Sequence, residues 1–170
     1  MSKRLCMMVG AVLICAAPSF AADKEALLDR LAGKWVMTGT IENQATTHDV
    51  TAEWILQNTY LRFTEISREK DAAGKPLYEA EVLFAYDAAK KRYVCFWYDT
   101  TGVAGPGAGG VAAREADRLP FLFNVGGIPF HTIFAWQAAS KSWTVTMDGE
   151  DAKTGGKLVP FARLTMTKAP

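Results

Sequence analysis

The chain has 170 residues, 22% of them charged, with a formal net charge of +1. That near-neutral balance leaves no basic footprint for nucleic acid or for an anionic membrane surface. Cysteine is scarce: only Cys95 lies beyond the first fifteen residues, which excludes an internal disulfide and any zinc site built from several thiolates downstream of that point.

The N-terminus reads as an export signal. A short basic head, MSKR, precedes the apolar run LCMMVGAVLICAA, and small residues follow at Ser19 and Ala21. Cleavage after Ala21 is expected. The apolar run is too short to span a bilayer, which takes about 20 residues. Residues 22–170 then form one domain of 149 residues, long enough for a real core, in a periplasmic or secreted protein with no integral membrane segment.

The segment DKEALLDRLAG predicts one short helix over 23–33, with Leu27, Leu28 and Leu31 as its apolar stripe and Gly33 as its stop. Beyond it, short runs rich in Val, Thr, Phe, Tyr and Trp are divided by turn chemistry. Strands are predicted near 34–42, 47–57, 60–68, 77–87, 91–99, 109–115, 118–125, 130–138, 142–149 and 157–168. The segment 111–119 is open to a helical reading by propensity, and a hairpin turning at Ala116–Asp117 is preferred because strand signals flank it.

Alternation gives the faces. Val50, Ala52, Trp54 and Leu56 share one phase, as do Tyr78, Ala80, Val82, Phe84 and Tyr86, and again Tyr93, Cys95, Trp97 and Asp99. The expected architecture is all-β: a closed antiparallel β-barrel of about eight to ten strands with a short N-terminal helix over one end. Gly39, Ala52, Ala80 and Ala112 suggest room inside it.

Motifs that carry chemistry are few. GPGAGG at 105–110 matches a dinucleotide-binding glycine pattern in letters, yet no strand–helix–strand unit surrounds it, so it reads as a loop. No serine lies in a nucleophile elbow. Cys95, among aromatics in mid-strand, reads as a buried, inert thiol. His48 and His131 stand alone in sequence, and no metal site or resident cofactor is indicated. His131, inside IPFHTIFAW, is the one candidate for an axial haem ligand.

Gly33–Lys34–Trp35 opens the first strand. Glycine permits a close approach of backbones, and Trp35 fills the barrel floor. Arg163, on the last strand, is expected to pack over the indole, because closure joins the first and last strands. On these residues the chain resembles the calycin superfamily, lipocalins and fatty-acid-binding proteins among them. Through LAGKW, FAYDAAKKRYVCFWYDTTG and FARLTMTK it is similar to an exported bacterial lipocalin-like family of unknown function. The resemblance implies a closed barrel and no particular activity. Nitrobindins are similar barrels carrying haem on a histidine, with a first-strand motif richer in glycine than GKWVMTG.

The functional expectation is a monomer or weak dimer that binds a small apolar or amphipathic molecule in its interior. The ligand would rest against Trp54, Tyr86 and Trp97, with its polar end toward Asp99 and Arg114 and with His131 nearby. The alternative is an enzyme that uses Asp99, Arg114 and His131 around a bound substrate. A third reading is a filled barrel acting through its surface.

Overall fold

In a computed structural model, residues 24–102 and 108–170 are described. The proposed signal segment and the first half of the GPGAGG stretch, 105–107, lie outside these residues, and its second half, read as loop, begins strand β6. The chain forms a six-residue helix α1 (Ala26–Leu31) and ten strands: β1 (Gly33–Ile41), β2 (Gln44–Ile55), β3 (Tyr60–Ser67), β4 (Glu79–Asp87), β5 (Arg92–Asp99), β6 (Ala108–Ala113), β7 (Arg118–Val125), β8 (Ile128–Gln137), β9 (Ser142–Asp151) and β10 (Lys157–Lys168). Each strand pairs antiparallel with its neighbours in sequence, and β10 pairs with β1 to close the barrel. The segment 111–119 is a hairpin, as preferred, with Ala116 at its turn in a left-handed conformation.

Alternation dictates what lies inside. Trp35 and Met37 on β1, Leu61 and Phe63 on β3, Val82 and Phe84 on β4, and Leu119, Phe121 and Phe123 on β7 are buried. At mid-height Phe63, Phe84, Phe121 and Phe134 meet edge-to-face or tilted, with centroids 5.4–6.4 Å apart. Each such pair adds about 0.5–1.5 kcal/mol beyond its area. The interior is therefore filled at its waist. Leu56, expected on the inner face, is 69% exposed because the chain leaves the strand at Ile55 and turns with positive φ at residues 56–58.

The small residues do not make room for a ligand. A Cβ on Gly39 would lie 2.0 Å from the Arg163 carbonyl oxygen, so this glycine lets β1 approach β10. Its φ of +154° suits glycine as well. A Cβ on Gly110 would meet the Phe123 ring at 2.6 Å, so that gap is already taken by an aromatic side chain. Ala52, Ala80 and Ala112 are core residues.

α1 closes one end of the barrel. Glu25 caps it, its carboxylate accepting from the Leu27 and Leu28 amides at 2.8 and 3.0 Å. Leu27, Leu28 and Leu31 are buried beneath it. Three indoles then donate to this segment: Trp35 to the Leu31 carbonyl, Trp54 to the Asp29 carboxylate and Trp143 to the Arg30 carbonyl. A six-residue helix is too short to hold alone, so its stability comes from this docking.

Closure by the first and last strands occurs as expected, but the cation over Trp35 is Lys168 rather than Arg163. The register pairs Trp35 with Lys168 and Thr40 with Arg163. The Lys168 ammonium sits 3.8 Å from the Trp35 ring centroid and donates to the Ala32 carbonyl at 2.9 Å. A Cβ on Gly33 would fall 2.6 Å from that nitrogen, so the glycine clears the volume that the ammonium occupies. Arg163 has the outward phase of β10, between buried Ala162 and Leu164, and pairs with Asp148 outside the barrel.

Candidate functional site

The structure does not assemble the expected ligand set. Trp54, Tyr86 and Arg114 lie at the end covered by α1: Trp54 bonds Asp29, Tyr86 packs on Tyr93 at 5.1 Å between centroids, and Arg114 pairs with Glu25 at 3.2 Å. Trp97 and Asp99 lie at the opposite end, the mouth. The β5–β6 register explains the separation. Arg92 is opposite Ala113, so Arg114 follows the start of β5 while Asp99 stands at its finish. Asp99 instead binds its own turn, accepting from the Thr101 and Gly102 amides at 2.8 and 3.1 Å. His131 has the outward phase of β8, beside buried Thr132, and meets Glu150 at 2.8 Å. The enzyme reading, which needs Asp99, Arg114 and His131 together, is without that juxtaposition, and His131, the residue of the haem reading, does not face the interior. Cys95 is fully buried and burial pushes its thiol pKa up, so it has the surroundings of an inert core residue.

The mouth holds a buried polar network. On β2, Thr46 and His48 continue the inward phase of Val50 and Ala52; on β3, Glu65 and Ser67 continue that of Leu61 and Phe63. His48 pairs with Ser67 and Val50 with Glu65 in the register, so His48 and Glu65 are diagonal neighbours on the inner face. His48 Nδ1 contacts Glu65 Oε1, and the two side chains are only 2% and 3% exposed. His48 Nε2 lies 2.6 Å from the Thr46 hydroxyl, which donates to Glu69 Oε2 at 2.9 Å. The other Glu69 oxygen accepts from the Thr47 amide. Burial works to raise the Glu69 pKa, but its backbone donors, Thr46 and His48 outweigh it and hold the carboxyl below its ordinary value.

Proton counting follows from these partners. Glu69 accepts, so the single Thr46 proton points toward it. His48 Nε2 must then donate to Thr46, and one further proton sits between Nδ1 and Glu65 Oε1. The pair is imidazolium with carboxylate or imidazole with carboxylic acid, and it is neutral as a unit in either form.

Tyr78 and Trp97 stand beside this pair. The Tyr78 ring centroid is 5.6 Å from that of His48, and its hydroxyl accepts from Trp97 Nε1 at 3.0 Å. Burial and then the Glu65 charge push the Tyr78 phenol well above its usual pKa. Sequence reasoning missed this network. Its signal was there: His48 and Glu65 occupy the apolar phase of their strands.

Two concavities lie toward the mouth end. One, about 420 Å³, is a groove on the outer face of β3, β4 and β5, walled by the outward-phase residues Thr64, Ile66, Glu79, Glu81 and Tyr98, whereas the side chains of Glu65 and Ala80 take the interior phase. The other, about 460 Å³, is walled by Val125, Ile128, Phe130, Val159 and Phe161, with Glu42, Glu150 and Asp151 also lining it. Phe130 and Phe161 meet edge-to-face at 5.4 Å across its floor. Among the described residues no three His, Cys, Asp or Glu side chains form a group able to hold a metal ion, and no helix is long and apolar enough to cross a membrane.

Fold and site together define a closed ten-stranded antiparallel barrel, capped by a helix at one end and polar at the other. A family model described as "Protein of unknown function (DUF1579)" matches residues 21–105, half of the chain, and the protein belongs to that family. Among curated proteins, none matches the chain.

Proposed function

We propose that the protein is an exported, lipocalin-like barrel that binds a small amphipathic molecule at its mouth, in the apolar cleft between β7, β8, β9 and β10. The observation that carries this reading is the cleft's composition: two facing phenylalanines and three aliphatic side chains, rimmed by three carboxylates. Ile128 and Val159 keep 46% and 49% of their surface in water, as does neighbouring Leu158 at 49%. Such a concave apolar surface with a polar edge is the usual form of a ligand site. The filled waist moves the ligand from the barrel's centre to its mouth.

Magnitudes favour a cationic head group. Burying roughly 150 Å² of apolar surface at about 25 cal/mol per Å² gains about 4 kcal/mol before association costs. That is too little for tight binding, so the acidic rim supplies selectivity. The test uses N-phenyl-1-naphthylamine as a fluorescent apolar probe, with dodecyltrimethylammonium and dodecanoate as competitors. Saturable probe fluorescence, displacement by the cation ahead of the anion, and weakening about tenfold in Phe130→Asp are expected. No saturable signal, or one untouched by Phe130→Asp, overturns the site; equal displacement by dodecanoate overturns the role of the rim. Export is proposed on residues 1–21 alone, and mass measurement of the protein from the periplasm of its host checks it against cleavage after Ala21.

A further inference from the structure

We propose that two copies of the chain pair through the outer face of β4–β7, in a weak two-fold dimer whose mouths point opposite ways. The outward positions of a barrel strand ordinarily meet water, and on β10 they include Arg163, Thr165 and Thr167. On β4–β7 the same phase carries Leu83, Val94, Phe96, Tyr98, Val111 and Leu122. Register joins them into one surface: Leu83 stands opposite Phe96, Val94 opposite Val111, and Val111 opposite Leu122. Phe96, Tyr98, Val111 and Leu122 keep 36–47% of their area in water. Single apolar side chains are ordinary at a surface, but a contiguous group on one side of a barrel marks a contact face.

Charge at the two ends of β4 and β5 names the partner as a second copy. At the mouth end, the outer groove of β3–β5 carries the Glu79 and Glu81 carboxylates. At the helix-covered end, the β4–β5 turn carries Lys90 and Lys91, followed by Arg92, against the one carboxylate of Asp87, which Arg92 meets at 3.7 Å. Among the described residues Glu79, Glu81, Lys90 and Lys91 join no ion pair. Glu79 precedes Leu83 by four residues on β4, and Arg92 precedes Phe96 by four on antiparallel β5. With Leu83 and Phe96 opposite one another, the two charges lie about 14 Å to either side of that pair, at about 3.4 Å per residue. A two-fold axis crossing the strands at Leu83–Phe96 therefore lays the acidic end of each copy on the basic hairpin of the other, with the apolar side chains between. An axis along the strands would set acidic end on acidic end. The curvature of the barrel limits contact to about four strands, on the order of 20 Å by 27 Å, or roughly 500 Å² per copy. A stable interface takes about 800 Å² per partner, so the dimer is weak, with a dissociation constant on the order of 10–100 µM.

Sedimentation equilibrium of the purified protein from about 5 to about 500 µM tests the dimer, since its population follows mass action. The expected result is a reversible monomer–dimer equilibrium, weakened about two- to fivefold when salt rises from about 0.05 to about 0.5 M. Phe96→Glu sets like charges against each other at the axis and weakens association about tenfold or more. Thr165→Glu, on the opposite side of the barrel, leaves it unchanged. Glu79→Lys and Arg92→Glu each weaken it about three- to tenfold, and the two combined restore it, because each copy then offers the same pair reversed. Should the Arg92 variants fail to fold through loss of the Asp87 contact, Lys91→Glu takes their place in the swap. A chain still monomeric at the highest concentration overturns the proposal. So does association untouched by Phe96→Glu or weakened equally by Thr165→Glu, and so does a combined swap no better than its parts. Flotation with phosphatidylcholine vesicles is the companion measurement: a monomer that floats would assign the face to a lipid surface and overturn the dimer.

Discussion

The His48–Glu65 pair is the residue-scale feature with the largest energetic consequence. Both side chains are almost wholly buried, so each is the other's main compensation for leaving water. Removing one strands the other. His48→Ala or Glu65→Ala is expected to cost about 3–5 kcal/mol, whereas the double substitution His48→Leu with Glu65→Leu stays within about 2 kcal/mol of wild type, because no uncompensated polar group remains. Urea unfolding of all variants checks this; a double variant as unstable as the singles removes the coupling. Tyr78 gives a pH-dependent counterpart. Its folded pKa lies above the ordinary value, so the folded state keeps a proton that the unfolded chain gives up above pH about 10. The stability it contributes is whole below that pH and declines as pH rises beyond it. Tyr93 behaves alike, its phenol pushed up by burial and by Glu25. Absorbance at 295 nm, compared between wild type and the Tyr78→Phe and Tyr93→Phe variants, should show both phenols untitrated until the alkaline unfolding transition, and ionisation of either in folded protein would contradict the burial argument.

At the scale of elements, the seam between β1 and β10 shows what a sequence can and cannot disclose. That the two strands meet, and that a cation covers Trp35, follows from closure and from Gly33-x-Trp35. Which cation depends on register and pleat: Arg163 belongs to the outward phase, and Lys168 falls opposite Trp35. The two are separable by stability. Lys168→Met is expected to cost about 0.5–2 kcal/mol through the lost ring contact, while Arg163→Met at the half-exposed ion pair with Asp148 costs no more than about 1 kcal/mol. Thermal denaturation of both decides it, and a larger loss for Arg163→Met would restore the original expectation. Strand positions were legible throughout because alternation and turn residues act locally. The site was less so. Asp99 and Arg114 looked close because they are neighbours in the strand list, but an antiparallel hairpin carries the later residue back to the opposite end. The dyad was hidden for the reverse reason: His48 and Glu65 are seventeen positions apart and meet only once the β2–β3 register is known.

The described residues form a ring in which every strand is hydrogen-bonded to its two neighbours along the order of the chain, with β10 and β1 completing the circle. Nothing in such a ring distinguishes the seam at the termini from the nine hairpin seams except the covalent connection. The chain ends are already tied together there, for the Ala169 amide donates to the Lys34 carbonyl at 3.0 Å. A circular permutant should therefore keep the fold. A flexible linker of about eight residues, reaching on the order of 26 Å when extended, would join Pro170 to Lys24 across the helix-covered end. New termini would open between β9 and β10, where residues 152–155 are exposed and belong to no strand. β10 would stay held by β1 on one side and β9 on the other, and every ladder would survive. The expected outcome is native-like circular dichroism in both the far and near ultraviolet and a stability within about 2 kcal/mol of the parent, since exposed connections are the sites that tolerate such cuts. A permutant that collapses without near-ultraviolet signal would mean that the β9–β10 hairpin must form first to close the ring, and the barrel's stability would then reside in that hairpin rather than in the circle.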